Sequence, residues 1–194
     1  MNIMKVKQIM ATAAMLSVIA LSHFAITLAA SLDDSNQAPV LPAGCEQLAP
    51  PAGNVVAYQV YAVGVQIYRW NGAAWAFVGP EAGLFADVNY RGLVGSHYGG
   101  PTWETNSGSL VVSSATTAIP CTPDPTAIPW LRLTAVTSSG PGILDGVTYI
   151  QRINTVGGVA PTTGCAAATD IGKRSFSPYE ADYLFYKERH AGRD

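Results

Sequence analysis

The stretch VGVQIYRWNGAAWAFVG, residues 63–79, decides the fold class. Two runs, VGVQIYRW (63–70) and AWAFVG (74–79), flank Asn71-Gly72. Asn-Gly tolerates the positive φ of a tight reversal and is the strongest short hairpin signal a sequence carries. The flanks are rich in Val, Ile, Tyr and Trp, which suit a pleated, half-buried surface. The stretch therefore reads as a β-hairpin. Upstream, NVVAYQVYA (54–62) alternates Val56, Tyr58 and Val60 against Val55, Ala57, Gln59 and Tyr61. Gly64 is expected to mark a bulge or bend between the two runs.

Outward from the hairpin, further strands are expected over 93–98, 109–114, 130–137, 147–155 and 179–187. In the last, Tyr179, Ala181, Tyr183 and Phe185 oppose Glu180, Asp182, Leu184 and Tyr186. Rings on both faces predict a strand covered on both sides or lining a cavity. A short helical turn is expected around 83–86, and nothing after residue 30 sustains a 3.6-residue period with caps. TAIP occurs twice, at Thr117 and Thr126 around CTPDP, which is a local proline loop and not a repeat. The chain thus reads as all-β: a single antiparallel β-sandwich or flattened barrel with long Gly/Pro-rich loops.

The N-terminus reads differently. Lys5 and Lys7 precede a run from Ile9 to Ala30 with no charged residue, ending in small residues at Thr27, Ala29 and Ala30. This is the pattern of a signal peptide over 1–30, cleaved near Ala29 or Ala30, so the protein is expected to be secreted, periplasmic or extracellular. An uncleaved anchor is the alternative, since the run is long enough to span a bilayer. Residues 31–51 carry four prolines and read as an extended Pro/Ala-rich leader. The β domain is placed at 52–188 and a polar tail at 189–194. Removing Lys5 and Lys7 from the 11 basic residues leaves 9 against 13 acids, a net charge of −4. Those charges form no basic stripe, so nucleic acid is excluded as a partner, and no membrane partner is expected after cleavage. Cys45, Cys121 and Cys165 allow three pairings, and spacing alone does not choose among them.

The candidate chemistry centres on VGSHYGGPTWETNSGSLV (94–111). Gly99, Gly100 and Pro101 let the chain reverse, so His97 and Glu104 are expected to meet across the turn. Such a pair suits general acid–base work, with Arg152 as a third catalytic candidate. The plainer reading is a histidine bonded to a nearby backbone carbonyl. A metal site needs three or four protein ligands, and the only other histidine after residue 30 is His190, so no metal is expected. Gln151 and Arg152 should point to opposite faces of a strand, and a buried Arg152 would want Glu81, Glu104 or Asp182. Trp70, Trp75 and Trp103, with Tyr98 and Gln151, are the ligand-binding candidates, because aromatic rings on a β surface stack on sugar faces; core packing is the alternative. GPGILDG (140–146) leads into a strand and not a helix, so it is a turn, and no nucleotide cofactor is expected.

GVQIYRW, GPEAGLF, HYGGPTWE, IPWLRL, VTYIQRINTVGGVAP and YEADYLFYK together resemble a family of exported bacterial proteins, with fungal and plant relatives, defined by a domain of unknown function. The resemblance covers about 52–187. It brings no activity, and the malate dehydrogenase label of some fungal relatives gains no support from this chain's glycine loop. Gln66, Tyr68, Glu81, His97, Trp103, Glu104, Gln151, Arg152 and Tyr183 fall in the shared motifs. Relatives with Trp at position 70 resemble this chain in carrying CTPDP before IPW, which implies a Cys45–Cys121 bridge with Cys165 free.

Three functions follow as expectations. The first is a β-sandwich binding an unknown ligand, a carbohydrate or envelope component, through an aromatic and polar cleft. The second is a hydrolase or metal-dependent enzyme centred on His97 and Glu104. The third is a structural or stress-related envelope protein with no small-molecule site. With no recognisable catalytic motif, binding is favoured over catalysis, and no cofactor is expected.

Overall fold

A computed structural model describes residues 37–165 and 168–189. The expected signal peptide, the first six residues of the leader, and all of the polar tail except Arg189 lie outside the described residues. So does His190.

The described residues fold into nine antiparallel strands: β1 (Asn54–Trp70), β2 (Trp75–Phe85), β3 (Leu93–Tyr98), β4 (Thr102–Thr105), β5 (Leu110–Ser113), β6 (Ile119–Cys121), β7 (Trp130–Ser139), β8 (Val147–Gly157) and β9 (Arg174–Glu188). Their hydrogen-bonded order is β5-β4-β3-β2-β1-β9-β8-β7-β6, and β5 also pairs with β7. That last pairing closes eight strands into a barrel. The far edge of β7 is shared: Trp130, Leu131 and Arg132 pair with β6, and Ala135 to Ser139 pair with β5. Closure satisfies backbone groups that an open sheet would leave at its edges. The fold is all-β, and the flattened barrel is the form it takes.

The hairpin at 63–79 is present but larger than its turn signal implies. Trp70 pairs with Trp75, so the loop holds four residues. Asn71 Oδ1 accepts from the backbone N–H groups of Ala73 and Ala74, and Gly72 takes φ +101°. The runs 54–62 and 63–70 are one strand of 17 residues. Gly64 is no bulge: it pairs directly with Ala82, and a Cβ there would collide with the Glu81 carbonyl oxygen. The irregularities of β1 fall at 56/58 and 67/68. The first explains why Val56 and Tyr58 face opposite ways, since one extra residue flips the faces that follow. Residues 83–86 are not a helical turn; three of them complete β2. Two short strands, β4 and β6, are additions to the sequence reading.

The inside of the barrel is packed at one end by Val60, Ala62, Leu84, Ile150 and Phe185, with Leu144 of the GPGILDG turn tucked among them. A second cluster lies on the outer face of β8 and β9, formed by Val56, Ile153, Leu184 and Tyr186 with Trp130 and Tyr149 packed against it. The rings on both faces of β9 are thus buried on both. The later part of the leader is tied to the barrel. Glu46–Leu48 form a 3-10 turn, Leu48 is wholly buried, and Cys45 is bonded to Cys121 on β6. Cys165 is free and half-buried.

Candidate functional site

The other end of the barrel interior is not filled. A cavity of about 460 Å³ lies there, lined from β1 by Gln66 and Tyr68, from β3 and β4 by His97 and Trp103, from β8 by Arg152 and from β9 by Tyr183. That volume falls within the roughly 300–1,000 Å³ of small-molecule sites. Its remaining walls are mainly apolar, including Pro80, Ile128, Leu131 and Leu133, and the exposed Phe77 and Val78 form a rim. Strand parity explains the lining. Val60, Ala62, Gln66 and Tyr68 share the inward face of β1, and the polar pair falls where the packed core ends.

His97 and Glu104 do not form a pair. In the β3–β4 register His97 faces Trp103, whereas Glu104 faces Ser96. Residues one step apart on a strand point to opposite sides, so His97 turns inward and Glu104 outward. Glu104 accepts a 2.8 Å hydrogen bond from the hydroxyl of exposed Tyr98. His97 is buried, stacked on Trp103 at 4.3 Å between ring centres, and its Nδ1 lies 2.8 Å from the Thr102 carbonyl. A carbonyl only accepts, so Nδ1 carries the proton and Nε2 is left as an acceptor. Burial pushes the His97 pKa down to about 3, opposed by the Thr102 hydrogen bond and assisted by the Arg152 charge. The ring is neutral at ordinary pH and is no acid catalyst there. Among the described residues no group of three metal-ligating side chains exists. The expected His97–Glu104 centre is therefore corrected.

Gln151 and Arg152 do lie on opposite faces of β8, but neither is a surface residue. Gln151 is on the outside of the barrel, at 0% exposure. Its Nε2 donates to the Leu48 carbonyl (2.9 Å) and its Oε1 accepts from Tyr186 (2.8 Å). Gln151 is therefore a clamp beneath the N-terminal arm and does not line the cavity. Trp70 and Trp75 pack edge-to-face on each other beside the hairpin loop, and Trp75 donates to the Thr163 carbonyl. Tyr98 is turned outward. Of the ligand-binding candidates only Trp103 reaches the cavity.

Arg152 is half-buried on the inner face. Its Nε and Nη2 both donate to the Pro129 carbonyl, at 3.1 and 2.7 Å. Neither Glu81, Glu104 nor Asp182 joins it in an ion pair; the ion pairs among the described residues are Asp87–Arg91 and Asp170–Lys173. Nearby, Gln66 Nε2, Trp103 Nε1 and the Tyr183 hydroxyl are buried without a hydrogen-bond partner among the described residues. Tyr179 and Arg152 direct donors at the Tyr183 oxygen in looser geometry, leaving the Tyr183 hydrogen without an acceptor; burial dominates and raises its pKa. Such groups each forfeit on the order of 1–3 kcal/mol when left unpaired.

Gln66, Tyr68 and Tyr183 are the cavity residues that residue chemistry alone did not single out. The signal was present: Gln66 is a polar side chain at a core-facing position of an otherwise apolar strand face.

The chain matches the family described as "Protein of unknown function (DUF3455)" over residues 51–187, and it belongs to that family. Neither a curated protein nor a solved structure matches it.

Proposed function

We propose that this DUF3455 protein binds a small molecule inside its barrel, as a carrier or receptor and not as an enzyme. The observation that carries this reading is the cavity between Gln66, Trp103 and Arg152, in which buried polar atoms lack partners although the opposite end of the same barrel is tightly packed. Buried polar groups are almost always paired, so a cluster of unpaired ones at a cavity wall marks a place where a ligand completes the pairing. The apolar walls suit a hydrocarbon or aromatic body better than a sugar, which would need several polar partners across each ring. The aromatic surface cleft of Trp70 and Trp75 is replaced by an internal site.

Export fits this reading. The disulfide forms in an oxidising compartment. Among the described residues no helix is long and apolar enough to cross a membrane. Protein recovered from the medium or periplasm should begin near residue 30 or 31 and carry the intact bridge, as read by intact mass.

The binding reading is tested by titrating the mature protein with the neutral apolar fluorophore N-phenyl-1-naphthylamine. Saturable binding at one site per chain is expected, and Ala118→Trp, which fills the cavity from its half-buried wall, should abolish it while the protein stays folded. Binding that survives the filling would place the site elsewhere.

A further inference from the structure

We infer that the cavity selects molecules bearing one carboxylate on an apolar body, with Arg152, Gln66 and Tyr183 holding the head group. This deepens the binding reading and rests on it.

The cavity's lining has one charged side chain, Arg152, and no acidic residue. A guanidinium is always charged, and its partners here, the Pro129 carbonyl and the Tyr183 oxygen, are neutral. Withdrawing such a charge from water without a counter-ion is expensive, and proteins pair buried charges. Here no described carboxylate lies within ion-pair distance of it. The described residues supply no counter-charge, and what enters the cavity brings it.

The unpaired neighbours agree on the sign. Gln66 Nε2 and Trp103 Nε1 are donors only, and the Tyr183 hydroxyl is a donor as well. Gln66 and Tyr183 are 2% and 1% exposed, so neither reaches bulk solvent. A site with surplus donors and one cation calls for a group rich in acceptors and bearing one negative charge. An ionised carboxylate has two oxygens, about four lone-pair positions and no donor, and it meets arginine in a two-pronged geometry. His97 adds no second charge, because its burial outweighs the hydrogen bond to the Thr102 carbonyl and keeps the ring neutral. A doubly charged head group is therefore disfavoured. Beyond the polar cluster the wall turns apolar through Leu131, Leu133 and Pro80 towards Phe77 and Val78 at the rim. The head group sits inward and the hydrocarbon points to the mouth.

Decanoate and decanol separate head group from body. Calorimetric titration of the mature protein at pH 7.5 should find decanoate bound about ten-fold or more tighter than decanol, the factor expected of a charged hydrogen-bonded pair. Arg152→Met should erase that preference and leave decanol affinity unchanged. Gln66→Leu should weaken decanoate by several-fold and spare decanol, which keeps the test alive if Arg152→Met does not fold. Equal affinity of the wild type for both ligands overturns the carboxylate inference while the cavity reading stands. Binding of neither ligand or of N-phenyl-1-naphthylamine overturns both. A decanoate preference that survives in Arg152→Met removes Arg152 from the role.

Discussion

Gln151 and Arg152 are neighbours on β8, one fully buried and one half-buried, and their surroundings differ in kind. On the outer face Gln151 spends its hydrogen bonds within the chain, on Leu48 and Tyr186, beneath an arm that the Cys45–Cys121 bridge ties down. On the inner face Arg152 has neutral partners and no counter-ion among the described residues, and the donors of Gln66, Trp103 and Tyr183 beside it are short of acceptors. A polar side chain that is fully paired holds a fold together. One that is buried and unpaired lowers stability unless something else pairs it. The outer cluster is structural by this criterion, and the inner one is the site of the proposed ligand.

Perturbing the two faces should then have opposite signatures, stability without binding on one and binding with little stability on the other. The largest effect is expected from the bridge. It closes a sequence separation of 76 residues, and losing such a disulfide typically costs about 2–5 kcal/mol. Denaturant melts of Cys45→Ser with Cys121→Ser should show that loss, while decanoate affinity measured well below the transition stays within two-fold. A large fall in affinity would mean that the arm supports the cavity.

Acid comes next. The folded pKa of His97 is held near 3, below the ordinary 6.5. Between those values the unfolded chain binds the proton and the folded chain does not, so stability falls as pH drops below about 6.5. The slope from this one group approaches about 1.4 kcal/mol per pH unit. His97→Phe should flatten the pH dependence of the denaturation midpoint by that share; parallel curves for the two proteins would show that His97 ionises without hindrance.

Gln151→Leu leaves the Leu48 carbonyl and the Tyr186 hydroxyl unpaired, with an expected loss of about 1–3 kcal/mol and no change in ligand affinity. Gln66→Leu is the matching inner substitution and the smallest in stability. It removes an amide nitrogen that has no described partner, so the melting midpoint should hold or rise slightly while decanoate binding weakens. Were Gln66→Leu as destabilising as Gln151→Leu, the contrast between the faces would collapse.

The two faces were unequally legible in the sequence. Local chemistry placed the hairpin, because Asn71 caps its own loop and Gly72 takes a positive φ. It placed β3 to the residue, and parity alone put Gln151 and Arg152 on opposite sides. Barrel closure was hidden, since the β5–β7 pairing joins residues far apart in sequence and leaves no local mark. The strand β4 was hidden because TWET carries no apolar alternation of the kind that marks LVVS in β5. That omission misplaced Glu104: a reversal at Gly99-Gly100-Pro101 seemed to bring it to His97, but the pairing of His97 with Trp103 turns it to the other face. The clamp role of Gln151 depends on the arm, whose prolines mark extended chain but do not reveal that Leu48 is buried. The missing partner of Arg152 is a property of the assembled barrel and has no counterpart in sequence.

The most direct test is a crystal structure of the mature protein grown with decanoate. The carboxylate is expected on the Arg152 guanidinium, within reach of Gln66 Nε2 and the Tyr183 hydroxyl, with the alkyl chain running past Leu133 to the rim at Phe77 and Val78. A decanoate bound on the outer surface, or inside with its carboxylate at the rim and its tail against Arg152, would contradict the assignment.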